Sequence, residues 1–256
     1  MRTLTPEAYV RSRMRRVAGY LSHLDAEVIL HLLHWQKRRE IRGSLCEIGV
    51  HHGRLFLILA LSRRPGEVAL AIDLFEDDAV NTGSHAGRDG ALQRNARMLG
   101  VPLSSEEIVK SSSHDLTADQ IKSRAQGSIR FFSVDGGHLY GDVENDLRLA
   151  QQCISADSII AVDDFFSVLW PEVSFATYDF LRSQSEIVPI CATRSKLYLA
   201  PRQSAQRILD DALSTLPPGL YCHAQSPVPF LGNKVAFVEE SSFTHYREKL
   251  KGLLPF

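Results

Sequence analysis

The sequence predicts an α/β fold in which helices flank an open, doubly wound and mostly parallel sheet of seven strands. Beyond residue 43, short apolar runs of strand length alternate with longer segments of helical period, which is typical of repeated βαβ units. The chain has 256 residues, 44% of them hydrophobic and 23% charged, so it can bury a core of this size. The predicted strands are residues 44–49, 67–73, 107–111, 129–135, 158–163, 187–192 and 196–200.

Helices are predicted before, between and after these strands. Apolar residues recur at helical intervals between residues 6 and 39, which indicates one or two amphipathic helices ahead of the sheet. The segments between the strands are long enough for right-handed crossovers. The other predicted elements are helices at 52–62, 91–99, 140–153, 175–183 and 204–216, a short apolar run at 235–238, and a last helix from Thr244.

These elements divide the chain into three parts. Residues 1–42 form an N-terminal helical segment, residues 43–200 the core domain, and residues 201–256 a C-terminal appendage. The segment 75–90 is rich in acidic, glycine and small polar residues. That composition suits either a mobile lid over a ligand site or an ordinary surface loop.

Composition and charge exclude several classes of protein. The 29 basic and 30 acidic residues leave a formal charge of −1, too balanced for a dedicated nucleic-acid binder. No stretch is apolar enough for a signal peptide or a membrane span, so no membrane partner is expected. The cysteines lie far apart, which indicates reduced thiols in a cytoplasmic protein. They are Cys46, Cys153, Cys191 and Cys222.

In a doubly wound sheet, ligands bind beyond the carboxyl ends of the strands. The first strand runs through Glu47 into a turn with Gly49 and Gly53, where bare backbone can approach a ligand closely. The spacing lacks the middle glycine of the dinucleotide fingerprint, and a plain tight turn explains it equally well. Asp73 ends the second strand where an acid would accept the ribose hydroxyls of an adenosine-containing cofactor, or would simply be solvated in an acidic loop.

The third strand leads into a cluster of small hydroxyl residues. Ser113 and His114 lie in this cluster, where hydroxyl groups can bind the edge of an adenine ring. Capping of the next helix is the commoner reason for such a cluster, so both roles stay open.

The fourth and fifth strands end in acidic residues. Asp135 follows the fourth strand, with His138 three residues further on, and the adjacent pair Asp163 and Asp164 follows the fifth. Carboxylates this close repel one another unless a cation joins them, and an oxygen-only set suits Mg²⁺, Mn²⁺ or Ca²⁺. The alternatives are that the acids cap helices and that the histidine is simply packed. The joint placement favours a metal site.

Taken together, these motifs resemble those of the class I S-adenosylmethionine-dependent methyltransferases, specifically the metal-dependent O-methyltransferases that act on sugars and macrolides. The stretch Glu47-x-Gly49-x-x-x-Gly53 looks like the family's first motif. Asp73 looks like its ribose-binding acid, and Ser113 with His114 like its adenine-side pair. Residues 134–147 are similar to the family's DGxHxYxxVxxDL stretch, and the resemblance covers about residues 44–200.

The resemblance implies a Rossmann-like fold and S-adenosylmethionine as cofactor. It implies Asp135, Asp163 and Asp164 as ligands of Mg²⁺ or another divalent cation, with Asp135 also beside the cofactor. His138 falls where sugar-modifying members carry a histidine base. The implied acceptor is a hydroxyl group of a small molecule, either a sugar or another polyhydroxylated natural product.

Three alternatives stay open. An NAD(P)-dependent oxidoreductase would also use a glycine turn and an acid such as Asp73. A non-catalytic binding protein can retain the same fold. A metal-independent methyltransferase can also carry an acid after its fourth strand. The sequence leaves open the acceptor, the metal and the oligomeric state, for which a homo-oligomer is one option.

Overall fold

The computed structural model describes residues 4–75, 90–216, 220–222 and 228–240. The strands in these ranges are β1 (Ser44–Ile48), β2 (Ala69–Asp73), β3 (Ile108–Lys110), β4 (Ile129–Val134), β5 (Ile154–Val162), β6 (Ile187–Ala192), β7 (Leu197–Pro201), β8 (Leu220–Cys222), β9 (Val228–Phe230) and β10 (Asn233–Glu240). Nine of them lie side by side in the order β3-β2-β1-β4-β5-β7-β6-β10-β8, and β9 pairs with β10.

Helices connect the strands and cover the sheet. In the same ranges they are α1 (Pro6–Ser12), α2 (His23–Arg38), α3 (Phe56–Leu61), α4 (Ala91–Leu99), α5 (Ala118–Arg124), α6 (Tyr140–Cys153), α7 (Pro171–Ser183) and α8 (Arg202–Arg207). Short 3-10 turns lie at Met14–Arg16, Ser105–Glu107, Ser113–Asp115 and Leu213–Thr215, and one π-helical turn at Ile208–Ala212 follows α8.

The predicted α/β class and mostly parallel sheet are confirmed. Strands β1 to β5 are parallel to one another, whereas β7 runs antiparallel between β5 and β6. The predicted count of seven strands is wrong, because residues 220–240 add β8, β9 and β10. Among the first seven strands, β6 has a partner on one edge only. Strand β10 pairs in parallel with the other edge of β6. The segment predicted as an appendage therefore continues the sheet.

Apolar side chains bury both faces of the sheet. All five residues of β1 are buried, as expected for a strand covered by helices on both sides. One core cluster packs α1, α2, α3 and α4 against one face, and the other packs α5, α6 and α7 against the opposite face.

Local signals explain where the helices begin and end. Ser22 caps the start of helix α2, and its hydroxyl accepts a hydrogen bond from the N–H of Asp25 at 3.0 Å. Helix α4 lies between Gly90 and Gly100, both with left-handed backbone, and matches its predicted bounds. Helix α5 was not predicted, although Thr117 and Gln120 form a capping box at its start.

Some sequence predictions fall outside the described residues. The possible lid lies mainly in residues 76–89, and the last predicted helix lies in residues 241–256. Within the described ranges, no helix combines the length and the apolar character that a membrane crossing needs.

Candidate active site

A cleft of about 720 Å³ opens at the carboxyl ends of the parallel strands. Parallel neighbours end at the same edge of a sheet, so side chains from distant parts of the chain meet there. The predicted residues that line the cleft are Glu47, Gly49, Asp73, Ser113, His114, Asp135, His138, Asp163 and Asp164. Gly53, predicted together with them, is not a lining residue.

The turn after β1 presses its backbone against the loop after β4. Gly49 has a φ of 83°, and a Cβ built on it would lie 1.6 Å from the carbonyl oxygen of Asp135. Only glycine fits, and its bare backbone forms part of the cleft wall. A Cβ on Gly53 would instead meet Leu92 of α4. At Gly53 it is therefore the packing of α4 that leaves no room for a side chain.

Asp73 ends β2 and fixes the turn after β1. Its Oδ2 accepts the N–H of His51 at 2.8 Å, and its Oδ1 accepts the N–H of Phe75 at 2.8 Å. Burial raises the pKa of this carboxyl, and the backbone donors oppose the rise. A carboxylate oxygen accepts more than one hydrogen bond, so both oxygens can still accept from a pair of ligand hydroxyls.

Glu47 is a buried carboxyl on the floor of the cleft. Its Oε2 has no hydrogen-bond partner among the described residues. Burial raises the pKa of Glu47 well above its usual value, although the ammonium of Lys196 lowers it. A buried polar atom without a partner is costly, so this oxygen is suited to accept from a ligand.

Ser113 and His114 border the cleft on the side of β3. They lie in a short 3-10 turn, and the Ser112 hydroxyl accepts the N–H of His114 at 3.3 Å. The His114 Nε2 lies 2.9 Å from Asp142 Oδ1, and the Ser113 Oγ accepts from Asn145 at 3.4 Å. Ser112 therefore caps this short turn and Thr117 caps the next helix, while Ser113 and His114 line the cleft.

Asp163 forms a buried ion pair. Its Oδ2 lies 2.7 Å from Nζ of Lys196, which is 1% exposed. Burial alone would raise the pKa of Asp163, but the Lys196 ammonium, together with hydrogen bonds from Asp135 and from the Asp164 N–H, lowers it. Burial, followed by the negative charge of Asp163, raises the pKa of neighbouring Asp135 well above its usual range.

Asp164 links Asp163 to His138. Its N–H donates to Asp163 Oδ1 at 2.9 Å, and its backbone has a φ of 54°, which is uncommon outside glycine. Its Oδ2 lies 3.2 Å from His138 Nε2. The His138 ring stacks on Trp170, with ring centroids 4.4 Å apart. The carboxylate and the indole together hold the imidazole at the cleft.

The donor atoms that converge differ from the predicted metal set in one member. Possible ligand atoms of Asp135, His138 and Asp164 lie within 4.8 Å of one another. Asp163 is not part of this group, and its Oδ2 pairs with the buried ammonium of Lys196. Two carboxylates and an imidazole still fit a divalent cation chemically.

Comparison with known proteins finds a similar family for the central part of the chain. Residues 46–165 match a family model described as a methyltransferase domain. Over these residues the chain is similar to methyltransferase domains. None of the curated protein sequences is similar to it.

Solved structures share the fold of this chain. The O-methyltransferase NovP has a TM-score of 0.57 at 15% identity, over 72% of this chain and 83% of that chain. CalS11, described as a TDP-rhamnose 3′-O-methyltransferase, has a TM-score of 0.51 at 17% identity, over 76% and 86%. An O-methyltransferase from Bacillus cereus in complex with SAH has a TM-score of 0.51 at 11% identity, over 77% and 90%.

Several residues that line the cleft were not predicted from the sequence. They are Ala18, Gly19, Tyr20, Leu21, Asp25, Trp170, Ser195 and Lys196. The segment before α2 lies outside the predicted core domain, yet it borders the cleft. Lys196 precedes a strand that pairs antiparallel with β5, so its position depends on long-range pairing and not on a local motif.

Proposed function

We propose that this chain is an S-adenosylmethionine-dependent O-methyltransferase that acts on a hydroxyl group of a small molecule, either a sugar or another polyhydroxylated natural product. The observation that carries the proposal is the pairing of His138 with Asp164 in the cleft that Gly49 and Asp73 also line. Similar structures described as O-methyltransferases support it, and one of them is named for activity on TDP-rhamnose.

The residues on the β1 and β2 side suit the cofactor. S-adenosylmethionine supplies a methyl group activated on a sulfonium. The two Asp73 oxygens would accept the ribose hydroxyls, and the unpaired Oε2 of Glu47 would accept from the ammonium of the methionine part. The bare backbone at Gly49 leaves room for this approach, and Ser113 with His114 would border the adenine.

His138 is the proposed general base. If its Nε2–H donates to Asp164, the lone pair on Nδ1 is free to take the proton of the acceptor hydroxyl. Asp164 then stabilises the imidazolium that results. Stacking on Trp170 limits rotation of the ring, so the base stays oriented.

Asp135 and Asp164 are the proposed carboxylate ligands of a divalent cation, Mg²⁺ or another, with His138 beside them. Such an ion lowers the pKa of a hydroxyl bound to it. Asp163, the third ligand implied by the family resemblance, is given the separate role of pairing with Lys196. The raised pKa of Asp135, caused first by burial and then by Asp163, fits a carboxyl that a cation would stabilise in its charged form.

Methyl transfer from labelled S-adenosylmethionine to a panel of sugars and other hydroxylated compounds tests this function. We expect transfer to at least one hydroxylated acceptor, and loss of transfer in His138→Ala. A thermal shift with S-adenosylhomocysteine, and none with NAD, would reject the oxidoreductase alternative. Cofactor binding without transfer to any acceptor would favour the non-catalytic alternative.

A cytoplasmic location is part of the proposal. Cys46 and Cys153 are buried and carry free thiols, as expected in a reducing compartment.

A further inference from the structure

Lys196 is a buried cation at the edge of the active site. It directly precedes β7, its side chain is 1% exposed, and its Nζ lies 2.7 Å from Asp163 Oδ2. Removing an ammonium from water is costly, and well-packed apolar residues usually stabilise a fold as well as a buried ion pair does. Packing alone therefore gives no reason for a lysine at this position, which also lines the cleft.

A chain of polar contacts runs from Lys196 to the proposed base. The first Asp163 oxygen receives the ammonium, and the second accepts the N–H of Asp164 at 2.9 Å. That bond holds Asp164 at a φ of 54°, a conformation that needs support from its surroundings. From there the Asp164 carboxylate reaches His138 at 3.2 Å.

The hairpin that carries Lys196 is itself anchored on two sides. Thr193 and Ser195 donate their hydroxyls to the two oxygens of buried Asp25, at 2.6 and 2.7 Å. On the other side, Phe165 donates its N–H to the Ser195 carbonyl at 3.0 Å. Lys196 thus projects from a rigid support that also contacts the loop after β5.

We propose that Lys196 is a positioning residue for methyl transfer. It holds Asp163, and through Asp163 it sets the backbone of Asp164 and the orientation of His138. The inference rests on the proposed function, in which His138 is the base. It adds that the positive charge paired with Asp163 comes from a side chain of the protein, Lys196.

The first test compares Lys196→Met with Lys122→Met. Lys122 also pairs with an aspartate, Asp119 at 3.0 Å, but this pair is exposed and one turn of helix apart, so little effect is expected from its loss. For Lys196→Met we expect kcat to fall about 10²-fold, the usual effect of a misplacement of about 1 Å, with the affinity for S-adenosylhomocysteine unchanged. Lys196→Arg keeps the charge and should retain more activity.

A double variant keeps the test valid if Lys196→Met folds poorly. Removing the ammonium leaves Asp163 buried and uncompensated, and Asp163→Asn removes that charge while its amide oxygen can still accept from Asp164. We expect Asp163→Asn with Lys196→Met to recover both folding and part of kcat. Wild-type kcat in a folded Lys196→Met protein, or equal losses of kcat and cofactor affinity, would refute the positioning role.

Tryptophan fluorescence gives a readout that needs no turnover. The chain has two tryptophans, so Trp35→Phe leaves Trp170, which stacks on His138, as the reporter. We expect Lys196→Met to change Trp170 emission and Lys122→Met to leave it unchanged. Unchanged emission in Lys196→Met refutes the link to His138. If the wild type methylates no hydroxyl while this emission still changes, the proposed function fails and the structural link holds.

Discussion

Replacing Gly49 with alanine tests how closely the turn after β1 approaches the loop after β4. Gly66 offers a matched control, because both glycines have a φ of 83°. A Cβ on Gly66 would meet nothing within 4 Å, whereas one on Gly49 would lie 1.6 Å from the Asp135 carbonyl oxygen. The two substitutions share the left-handed backbone strain and differ in the steric overlap.

The expected magnitudes follow from these two causes. A non-glycine residue in the left-handed region costs about 1–2 kcal/mol, which is the whole effect expected for Gly66→Ala. Overpacking adds about 1–3 kcal/mol, and the overlap at Gly49 places it near the upper end. Gly49→Ala should therefore lower the free energy of unfolding by about 3 kcal/mol more than Gly66→Ala.

Urea unfolding and calorimetry measure this difference. It corresponds to about 6–12 °C in Tm for a chain of this length. Because backbone movement at Gly49 alters the cleft wall, Gly49→Ala should also weaken binding of S-adenosylhomocysteine in calorimetric titration, and Gly66→Ala should not. Equal destabilisation by both substitutions would refute the close approach as the reason for Gly49.

Three further outcomes are expected. His138→Ala should lower kcat about 10² to 10⁴-fold in the methyl-transfer assay, and an unchanged rate would assign the base elsewhere. Excess EDTA should stop transfer, with added Mg²⁺ or Mn²⁺ restoring it, and full activity in EDTA would remove the cation from the mechanism. Burial raises the pKa of Asp146 from 3.8 to about 6, so the folded protein holds this proton longer than the unfolded chain. Stability measured by urea unfolding should then fall by up to about 3 kcal/mol as the pH rises from about 4 to 6, and Asp146→Asn should lack this component.

Elements with a strong local pattern were predicted closely. The bounds of β6, α4 and α6 match the prediction, because their apolar periodicity is clear along the sequence. Helix α5 has only seven residues, too few for a periodic pattern to stand out. In the sequence, strand β10 shows only as a short apolar run within the predicted appendage. Its pairing with β6 joins residues that are far apart along the chain, so no local pattern indicates it.

The candidate site also contains residues that a local pattern predicts and residues whose contacts depend on the fold. Asp73, Asp135 and Asp163 could be selected in advance, since each stands directly at or after the end of a strand. Gly53 shares a motif with Gly49, yet Gly49 faces the loop after β4 whereas Gly53 faces Leu92 of α4. A sequence motif shows which residues are close together along the chain. It does not show which atoms from other parts of the fold each residue will contact.

The order of residues along the chain determined that acids from separate strands would gather at one edge, because strand ends are local features and parallel strands share a direction. Which partner each acid takes was decided only when the chain folded. Antiparallel pairing of β7 with β5 brings Lys196 to Asp163 and leaves Asp164 to face His138. Charge pairing depends on distance in space, which local sequence does not specify.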